Sequence, residues 1–284
     1  MSEALGGLPL AHEQAAAYCE RLDVSLAEYA RRLETTPTKL LDAERDAPAE
    51  YHDRLTVAKT FALAIDEAAK LHPAAEPLIV HAALLAPVPV PLFLFSEGRE
   101  KFSEPLVADD GLDEAVAALR AFALVDRETI PDEREPSIVT ETIRLHRLVR
   151  AVAARRLQGE AAEAARRALV DVMAAVYPGE VYNDPSGWPR ARRLDALALS
   201  LVGGAETSAS YLLDRLGPYR QAALAAYAQA RPLFERALAI RATALGPEHP
   251  DTAEGLNDLA VVLAAQGDFA GARPLYERAL ARRG

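Results

Sequence analysis

The chain has 284 residues but only one cysteine, Cys19, and only four lysines. A single cysteine cannot form a disulfide within the chain, so the fold does not depend on cross-links, and a reducing compartment such as the cytoplasm is expected. None of the four lysines directly follows a glycine, which excludes the glycine-rich loop ending in lysine that cradles nucleotide phosphates. We therefore expect that this chain alone neither binds nor hydrolyses ATP.

Catalytic and metal-binding patterns are missing as well. The six histidines show neither the HExxH spacing nor another metal-ligand spacing, and the cysteine has no partner residues around it. We therefore predict no catalytic residue, no bound metal and no enzymatic activity for this chain.

Basic residues are fewer than acidic residues. The chain carries 42 acidic and 32 basic residues, which gives a net charge of -10 at pH 7. A negative protein repels phosphate backbones, which disfavours nonspecific binding to nucleic acid or to anionic membranes. With half of its residues apolar, the chain has enough material for buried cores.

One long stretch lacks formal charge and includes the 19 residues 77–95. This length is close to the roughly 20 residues that a membrane-spanning helix needs. Pro87, Pro89 and Pro91 interrupt the stretch, and prolines inside a helix remove donors and clash with the preceding turn. We therefore expect a helix that ends near Ala86 and a short element after Pro91, and no membrane span.

The strongest pattern lies near the C-terminus, where almost the same ten residues occur twice. Residues 230–239 read ARPLFERALA and residues 272–281 read ARPLYERALA, so the copies lie 42 positions apart and differ only in Phe234 and Tyr276. In each copy the apolar and small residues fall on one helical stripe, and a second amphipathic segment precedes it. Each repeat therefore supplies two helices, which bury their apolar faces by stacking.

The order of large and small residues in these helices resembles the tetratricopeptide repeat, in which small residues lie where two helices cross. The matching residues of the second repeat are Leu256, Leu259, Ala260, Ala272, Tyr276 and Ala279. Those of the first repeat are Leu213, Leu216, Gly217, Ala230, Phe234 and Ala237, with one extra residue between Gly217 and Ala230. The period and the linker 244–252 resemble the kinesin-light-chain type of this repeat, which is common in large bacterial proteins.

This resemblance implies a surface that binds a protein or a peptide. In the family the first helix of each repeat lines the concave side, and Asp214 and Asn257 lie on those helices. An asparagine amide can pair with a peptide backbone, so both residues are candidates for contact with a partner. On the residues alone, Asn257 fits a solvent-facing position equally well.

The residues before the repeats favour helices, with one short stretch of strands. Helices are predicted at 11–22, 26–33, 39–45, 56–71, 75–86, 112–121 and 147–157, with Ser25 as the cap of the second. Strands are predicted at 122–126 and 138–145, where Val139, Ile143 and Leu145 would share one face. Helices followed by a hairpin and another helix are typical of a winged-helix domain.

Two short motifs resemble NB-ARC proteins, a family of signal-transduction ATPases with numerous domains. Residues 7–9 read GLP and residues 143–149 read IRLHRLV. In that family the proline of the first motif packs near the adenine, and the histidine of the second contacts the phosphates of bound ADP, which holds the protein inactive. The resemblance implies nucleotide-sensing roles for Gly7, Pro9 and His146.

The second motif departs from the family pattern at two positions. Leu145 replaces a methionine and Arg147 replaces the aspartate that helps keep the inactive state, so an ADP lock would work differently here. On the residues alone, Pro9 fits an ordinary helix start and His146 fits a helix cap. Both roles stay open at this point.

Together these patterns predict a mainly α fold. The expected parts are a helical subdomain at 1–50, a winged-helix domain with a small β-hairpin at 51–158, a pair of adapter helices at 159–204, and an α-α superhelix of two tetratricopeptide repeats at 205–284. The resemblance implies that the chain follows the nucleotide-binding domain of a longer protein, and that ADP or ATP on that domain is coupled to partner binding by the repeats.

Two other functions fit the same residues. A cluster of arginines around the last winged-helix segment, including Arg147 and Arg150, suits a transcriptional regulator that binds DNA, although few side chains suited to base contacts accompany them. A passive adaptor, with repeats but no nucleotide coupling, is the third possibility.

Overall fold

The computed structural model describes residues 9–35, 56–102, 111–179, 181, 184–203 and 207–281. Its N-terminal helices are α1 (Pro9–Leu22), α2 (Leu26–Thr35), α3 (Val57–Leu71), α4 (Ala75–Leu84), α5 (Phe93–Glu97), α6 (Gly111–Ala121) and α7 (Arg147–Ala153). Its C-terminal helices are α8 (Gly159–Val176), α9 (Trp188–Leu201), α10 (Thr207–Ala222), α11 (Tyr227–Ala244), α12 (Pro250–Ala265) and α13 (Phe269–Leu280). The strands are β1 (Val90–Pro91), β2 (Val125–Pro131) and β3 (Val139–Leu145). The prediction of a mainly α fold is confirmed.

The chain packs as two compact units. The first comprises the described parts of 1–90, 103–128 and 142–163, and the second those of 91–102, 129–141 and 164–284. In the first unit α4 packs against α3, α6 and α7, which is why nearly all of its apolar side chains are buried. Among the described residues, no helix combines the length and the apolar character needed to cross a membrane.

Side-chain caps fix the starts of the predicted helices. The Ser25 hydroxyl accepts the N–H of Glu28 at 3.2 Å, as predicted from the sequence. The Thr56 hydroxyl does the same for Lys59 at 3.2 Å, so α3 begins at Val57. Such caps satisfy amide donors that the first turn of a helix leaves without partners. The helix predicted at 39–45 falls outside the described residues.

The sheet differs from the predicted hairpin in two ways. It has three strands in the order β1-β3-β2, so β3 lies in the centre and the short, proline-containing β1 forms an edge. β2 begins three residues later than predicted and runs to Pro131, through part of the segment predicted as a loop. The cause is the end of α6, where the Leu124 N–H donates to the Leu119 carbonyl and Ala123 takes a φ of 52°. Of the predicted face, Ile143 is buried but Val139 is 59 % exposed.

The last four helices form two consecutive pairs, α10 with α11 and α12 with α13, and α11 also packs on α12. Their shared core contains Ala230, Phe234, Leu259, Ala260, Val262, Leu263 and Ala272. The turn within the first pair, 223–226, is one residue longer than the turn 266–268 within the second. The extra residue that the sequence comparison located between the two helices therefore lies in this turn.

Candidate functional site

A cleft of about 230 Å³ opens between the first helices of the two repeats. Pro218 and Gln221 of α10 line it on one side, Asp258 and Val261 of α12 line it on the other, and Phe234 of α11 contributes the aromatic ring. The Phe234 side chain is only 3 % exposed, so it belongs to the core and to the cleft at once. The cleft is apolar at Phe234, Val261 and Pro218, and polar at its other two residues.

The solvent-facing stripe of α12 borders this cleft. Glu254, Asn257, Asp258 and Val261 follow one another at helical spacing, and all four are exposed or half-buried. Asn257, predicted to contact a partner, is half-buried on this stripe and adjoins the cleft residue Asp258. Its contact with a partner stays a prediction.

Asp214, the second predicted contact residue, has a partner inside the stack. Its carboxylate forms an ion pair with Arg241 of α11, and the two side chains are only 15 % and 3 % exposed. Burial raises the pKa of Asp214 to about 7, against the opposing effect of the Arg241 charge, and Asp258 and Glu254 raise it further. The Asp214 carboxylate is therefore held within the repeats, and its role in partner binding stays a prediction.

Arg241 connects three helices, and the sequence analysis missed it. Besides pairing with Asp214, it donates to the Asp251 carbonyl at 3.2 Å and lies 4.8 Å from the centre of the Tyr211 ring. The Tyr211 hydroxyl donates to the Asp251 carboxylate at 2.5 Å. Position 241 lies seven residues after Phe234, on the buried stripe of α11, so an arginine on an apolar stripe was the available signal.

A second polar cluster anchors the turn between β2 and β3. Asp132 in this turn accepts two hydrogen bonds from the Arg192 guanidinium of α9, at 2.9 and 3.0 Å. The same carboxylate accepts the N–H groups of Arg134 and Glu135 at 3.0 Å. The pKa of Asp132 is lowered to about 2, mainly by the hydrogen bonds from Arg192 and to a smaller extent by those from the Arg134 and Glu135 N–H groups. Asp132 is thus charged over the whole physiological range and fixes the turn on α9.

The polar contacts continue from α9 into the repeats. Asp195 of α9 pairs with Arg220 of α10 at 2.5 Å, and Arg220 also donates to Gln229 of α11 at 2.5 Å. Burial raises the pKa of Asp195, against the effect of Arg220. Nearby, Arg215 of α10 donates to the Tyr177 carbonyl at 2.7 Å. A continuous set of charge-assisted contacts therefore links the hairpin turn, α9 and the first repeat.

His146 lies at the N-terminus of α7 and caps it. Its Nδ1 accepts the Leu148 N–H at 3.2 Å, so the ring proton of the neutral side chain is on Nε2. Burial, and then the charge of Arg147, lower the pKa of His146, while Asp126 opposes them. His249 caps α12 in the same way, with its Nδ1 accepting the Asp251 N–H at 3.2 Å.

The structure describes the second of the two nucleotide-sensing motifs but not the side chains of the first. Pro9 is the first residue of α1, but its side chain is not described, and Gly7 lies outside the described residues. A shared nucleotide cavity for Pro9 and His146 therefore stays a prediction.

Three arginines of the basic cluster have partners within the first unit. Arg144 makes a two-pronged contact with Glu128 at 2.8 and 2.9 Å, and Arg156 pairs with Glu76 at 2.6 Å and with Asp66. Arg150 donates to carbonyls at the end of α4, at 2.9 Å to Ala82 and 2.7 Å to Leu85. These contacts stabilise the helices and give no support to a surface that reads DNA bases.

Comparisons with known proteins bear on the C-terminal part. Residues 219–283 match the family model of the tetratricopeptide repeat, which confirms the predicted repeats over the end of α10 and over α11 to α13. No curated protein and no solved structure matches the chain. Among the described residues, no group of three or more histidine, cysteine, aspartate or glutamate side chains could hold a metal ion.

Proposed function

We propose that the repeats bind a peptide segment of another protein in the cleft between α10 and α12. The observation that carries this proposal is the cleft itself, which lies between the first helices of two tetratricopeptide repeats and contains Phe234. Its volume of about 230 Å³ is below the range of roughly 300–1,000 Å³ typical of small-molecule pockets, and suits one or two side chains of a peptide. Such grooves bind extended or helical segments through a few anchoring side chains.

Filling the cleft tests this function. Val261→Phe places a ring among the cleft residues, whereas Ala270→Phe places the same ring on the exposed start of α13. We expect peptides selected by the wild-type protein from a displayed random library to lose binding to Val261→Phe and to keep it with Ala270→Phe. Fluorescence anisotropy measures the affinities, and circular dichroism verifies that both variants fold. Equal affinity of the selected peptides for both variants would remove the cleft as the binding site.

We further propose that the chain is the regulatory part of a signalling ATPase, coupled to ADP or ATP on a nucleotide-binding domain elsewhere in a longer protein. The resemblance of residues 7–9 and 143–149 to NB-ARC motifs supports it, as does the polar path from Asp132 through α9 to Arg220. That path gives partner binding in the repeats a physical route to the hairpin turn. The chain itself would contribute no catalytic group.

The histidine caps supply matched variants for this second proposal. In the longer protein that contains the nucleotide domain, we expect His146→Ala to speed the release of ADP. His249→Ala removes the same kind of cap from α12 and is expected to leave ADP release unchanged. His146→Asn keeps a capping oxygen, so fast release in this variant separates a phosphate contact from a cap. Wild-type release rates in both His146 variants would refute the coupling.

A further inference from the structure

We infer that two copies of this chain pair through one face of α13, with the two helices running in opposite directions. This face, the α13 stripe, carries Phe269, Tyr276 and Leu280, which fall seven and four positions apart and therefore lie along one side of the helix. The inference goes beyond the proposed peptide binding and does not depend on it. Three observations carry it: the exposure of the stripe, the cover over its counterpart in the first repeat, and the match of the stripe to itself.

The α13 stripe exposes two large apolar side chains. Phe269 is 70 % exposed and Leu280 is 71 % exposed, the highest values among the large hydrophobic residues that the structure describes. Tyr276 lies between them and is half-buried. Apolar side chains that follow one another along a helix face form a connected surface, and burying such a surface against another protein is favourable.

The corresponding stripe of the first repeat is covered by a helix. In α11 the positions equivalent to Phe269 and Leu280 are Tyr227 and Leu238, and both are half-buried. α12 provides the cover at Leu238, since a Cβ atom added at Gly255 would lie 3.5 Å from this side chain. α11 and α13 share the ten-residue signature, so nearly the same surface is covered in one repeat and exposed in the other. The α13 stripe therefore fits a helix.

The α13 stripe is complementary to itself, which favours a second copy of the chain as the source of that helix. In a two-fold contact, a residue that meets a different residue of the other copy is repaid by the reciprocal contact. When two α13 helices run in opposite directions and cross midway between Phe269 and Leu280, each Phe269 lies opposite the Leu280 of the other copy. Arg273 then lies opposite Tyr276 of the other copy, where a guanidinium stacks favourably on a ring.

The charges beside the stripe permit this contact. Arg273 and Glu277 pair within α13 at 2.8 Å, and their side chains are 82 % and 62 % exposed. The stripe is therefore flanked by one positive and one negative group, so two copies do not repel each other at this place. Exposed ion pairs contribute little to stability, so Arg273 can exchange its own Glu277 for that of the other copy at little cost.

The contact is small, and the dimer should be weak. α13 has 12 residues and is about 18 Å long, so one crossing buries less than the roughly 800 Å² per partner of stable complexes. We expect a dissociation constant on the order of 100 µM. Sedimentation velocity of the intact chain between about 5 µM and about 1 mM measures it, and the sedimentation coefficient should rise with concentration from the monomer value towards the dimer value.

A charge placed on the stripe should break the dimer. Leu280→Glu is expected to raise the dissociation constant at least about tenfold, because each dimer would bury two unpaired carboxylates. Leu71→Glu is the matched control, since Leu71 is 62 % exposed at the end of α3 and should be dispensable for pairing. Circular dichroism verifies that both variants fold. Equal dimerisation of Leu280→Glu and wild type, or an equal loss in both variants, would overturn the inference.

Cysteine pairs test the direction of the helices. In chains that carry Cys19→Ser, Phe269→Cys and Leu280→Cys variants are mixed in equal amounts, oxidised and analysed by mass spectrometry. The antiparallel crossing brings positions 269 and 280 of different copies together, whereas two copies of one position lie roughly 16 Å apart along the axis, beyond the reach of a disulfide. We expect the mixed disulfide to form at least about fivefold faster than either disulfide between like chains. Faster disulfides between like chains would contradict the antiparallel contact.

The remaining outcomes decide between a second copy and another occupant. A chain that stays monomeric up to about 1 mM would overturn the inference. A synthetic peptide of residues 249–266, which contains α12, represents the first helix of a repeat from another protein. If this peptide binds to a monomeric chain and loses binding to Leu280→Glu, such a helix covers the stripe and the pairing of two copies is wrong. None of these results changes the test of the cleft by Val261→Phe.

Discussion

The two repeats share a ten-residue signature but pack its central ring differently. Phe234 of the first repeat is buried, and a Cβ atom added at Gly217 would lie within 2.9 Å of three of its ring atoms. In the second repeat Ala260 occupies the position of Gly217, and Tyr276 is only half-buried. The repeat with the buried ring therefore has Phe and the repeat with the half-buried ring has Tyr, because a phenol hydroxyl needs water or a hydrogen-bond partner. The first repeat gains a closer helix crossing, and its ring also lines the cleft.

The repeats differ again at their charged positions. Asp214 in the first repeat is paired with Arg241, while the corresponding residue of the second repeat is the neutral Asn257. The counterpart of Arg241 is Arg283, which lies outside the described residues. A buried ion pair and a neutral amide thus occupy equivalent places, and exchanging them separates the effect of charge from that of position.

The largest difference between the repeats should come from removing the two rings. Phe234→Ala is expected to lower the free energy of unfolding by about 3–5 kcal/mol, because a buried ring leaves a cavity. Tyr276→Ala should cost clearly less, since part of that ring already contacts solvent. Urea unfolding followed by circular dichroism measures both. Equal losses of unfolding free energy in the two variants would mean that the difference in ring packing does not affect stability.

Asp214 should make the stability of the first repeat depend on pH. Its pKa is about 7 in the folded chain, above the ordinary value of 3.8, so the folded state binds the proton more tightly than the unfolded state. The resulting stabilisation is full below the ordinary pKa and is lost as the pH rises through about 7. The groups facing Asp214 are Arg241 on α11 and Asp251, Glu254 and Asp258 on α12.

Asp214→Asn places in the first repeat the residue type that the second repeat has at Asn257, and it removes the titrating carboxyl group. Between about pH 5 and pH 8.5 the wild-type chain is expected to lose on the order of 2 kcal/mol more unfolding free energy than the variant. Urea titrations of both proteins across this range give the difference. A variant whose stability falls with pH as steeply as that of the wild type would assign the titration to other groups.

A glycine exchange tests the close helix crossing. Gly217→Ala should destabilise the chain by about 1–2 kcal/mol, because the crowding against Phe234 exceeds the gain in helix propensity. Gly255→Ala is the control, since its added Cβ would lie 3.5 Å from Leu238 in ordinary contact, and it should be neutral or stabilising. Thermal melts compare the two. If combining Gly217→Ala with Phe234→Leu restores none of the lost stability, crowding against the ring is not the cause.

Local patterns in the sequence predicted most of the helices. The start of α2 at Leu26 matches the helix predicted from residue 26, and Ser25 caps it as expected, because apolar periodicity and capping involve residues close in the chain. The start of β2 was wrong because a backbone hydrogen bond between Leu124 and Leu119 extends the end of α6, and no side chain marks it. The third strand was missed because its partner β3 lies about fifty residues away.

The candidate site was predictable only in part. The repeat signature located α10 and α12 and placed Phe234 on a packed stripe, but the cleft depends on how the helices pack. Gln221 and Arg241 both fall on buried helical stripes, so polar residues on apolar stripes marked them in the sequence. Asp132 and Arg192 lie 60 residues apart in the chain. The residues around each of them give no sign of the other, so the sequence could not predict this ion pair.

The smallest predicted effect concerns how the second helix of each repeat begins. Asp268 caps α13 by accepting the Gly271 N–H at 2.9 Å, whereas Ala226 at the start of α11 provides no side-chain cap. The two residues have similar backbone angles, φ -83° and ψ 66° for Asp268 and φ -94° and ψ 56° for Ala226, so the cap can be transferred.

We therefore expect Ala226→Asp to stabilise the first repeat by about 0.5–1 kcal/mol and Asp268→Ala to destabilise the second by about 1 kcal/mol. Ala226→Asn separates a hydrogen-bonded cap from the attraction of a negative charge to the helix N-terminus, because asparagine caps without charge. Urea unfolding of the three variants at low and high salt measures the effects. If Ala226→Asp stabilises only at low salt and Ala226→Asn has no effect, the gain is due to charge alone and the two helix starts are not equivalent.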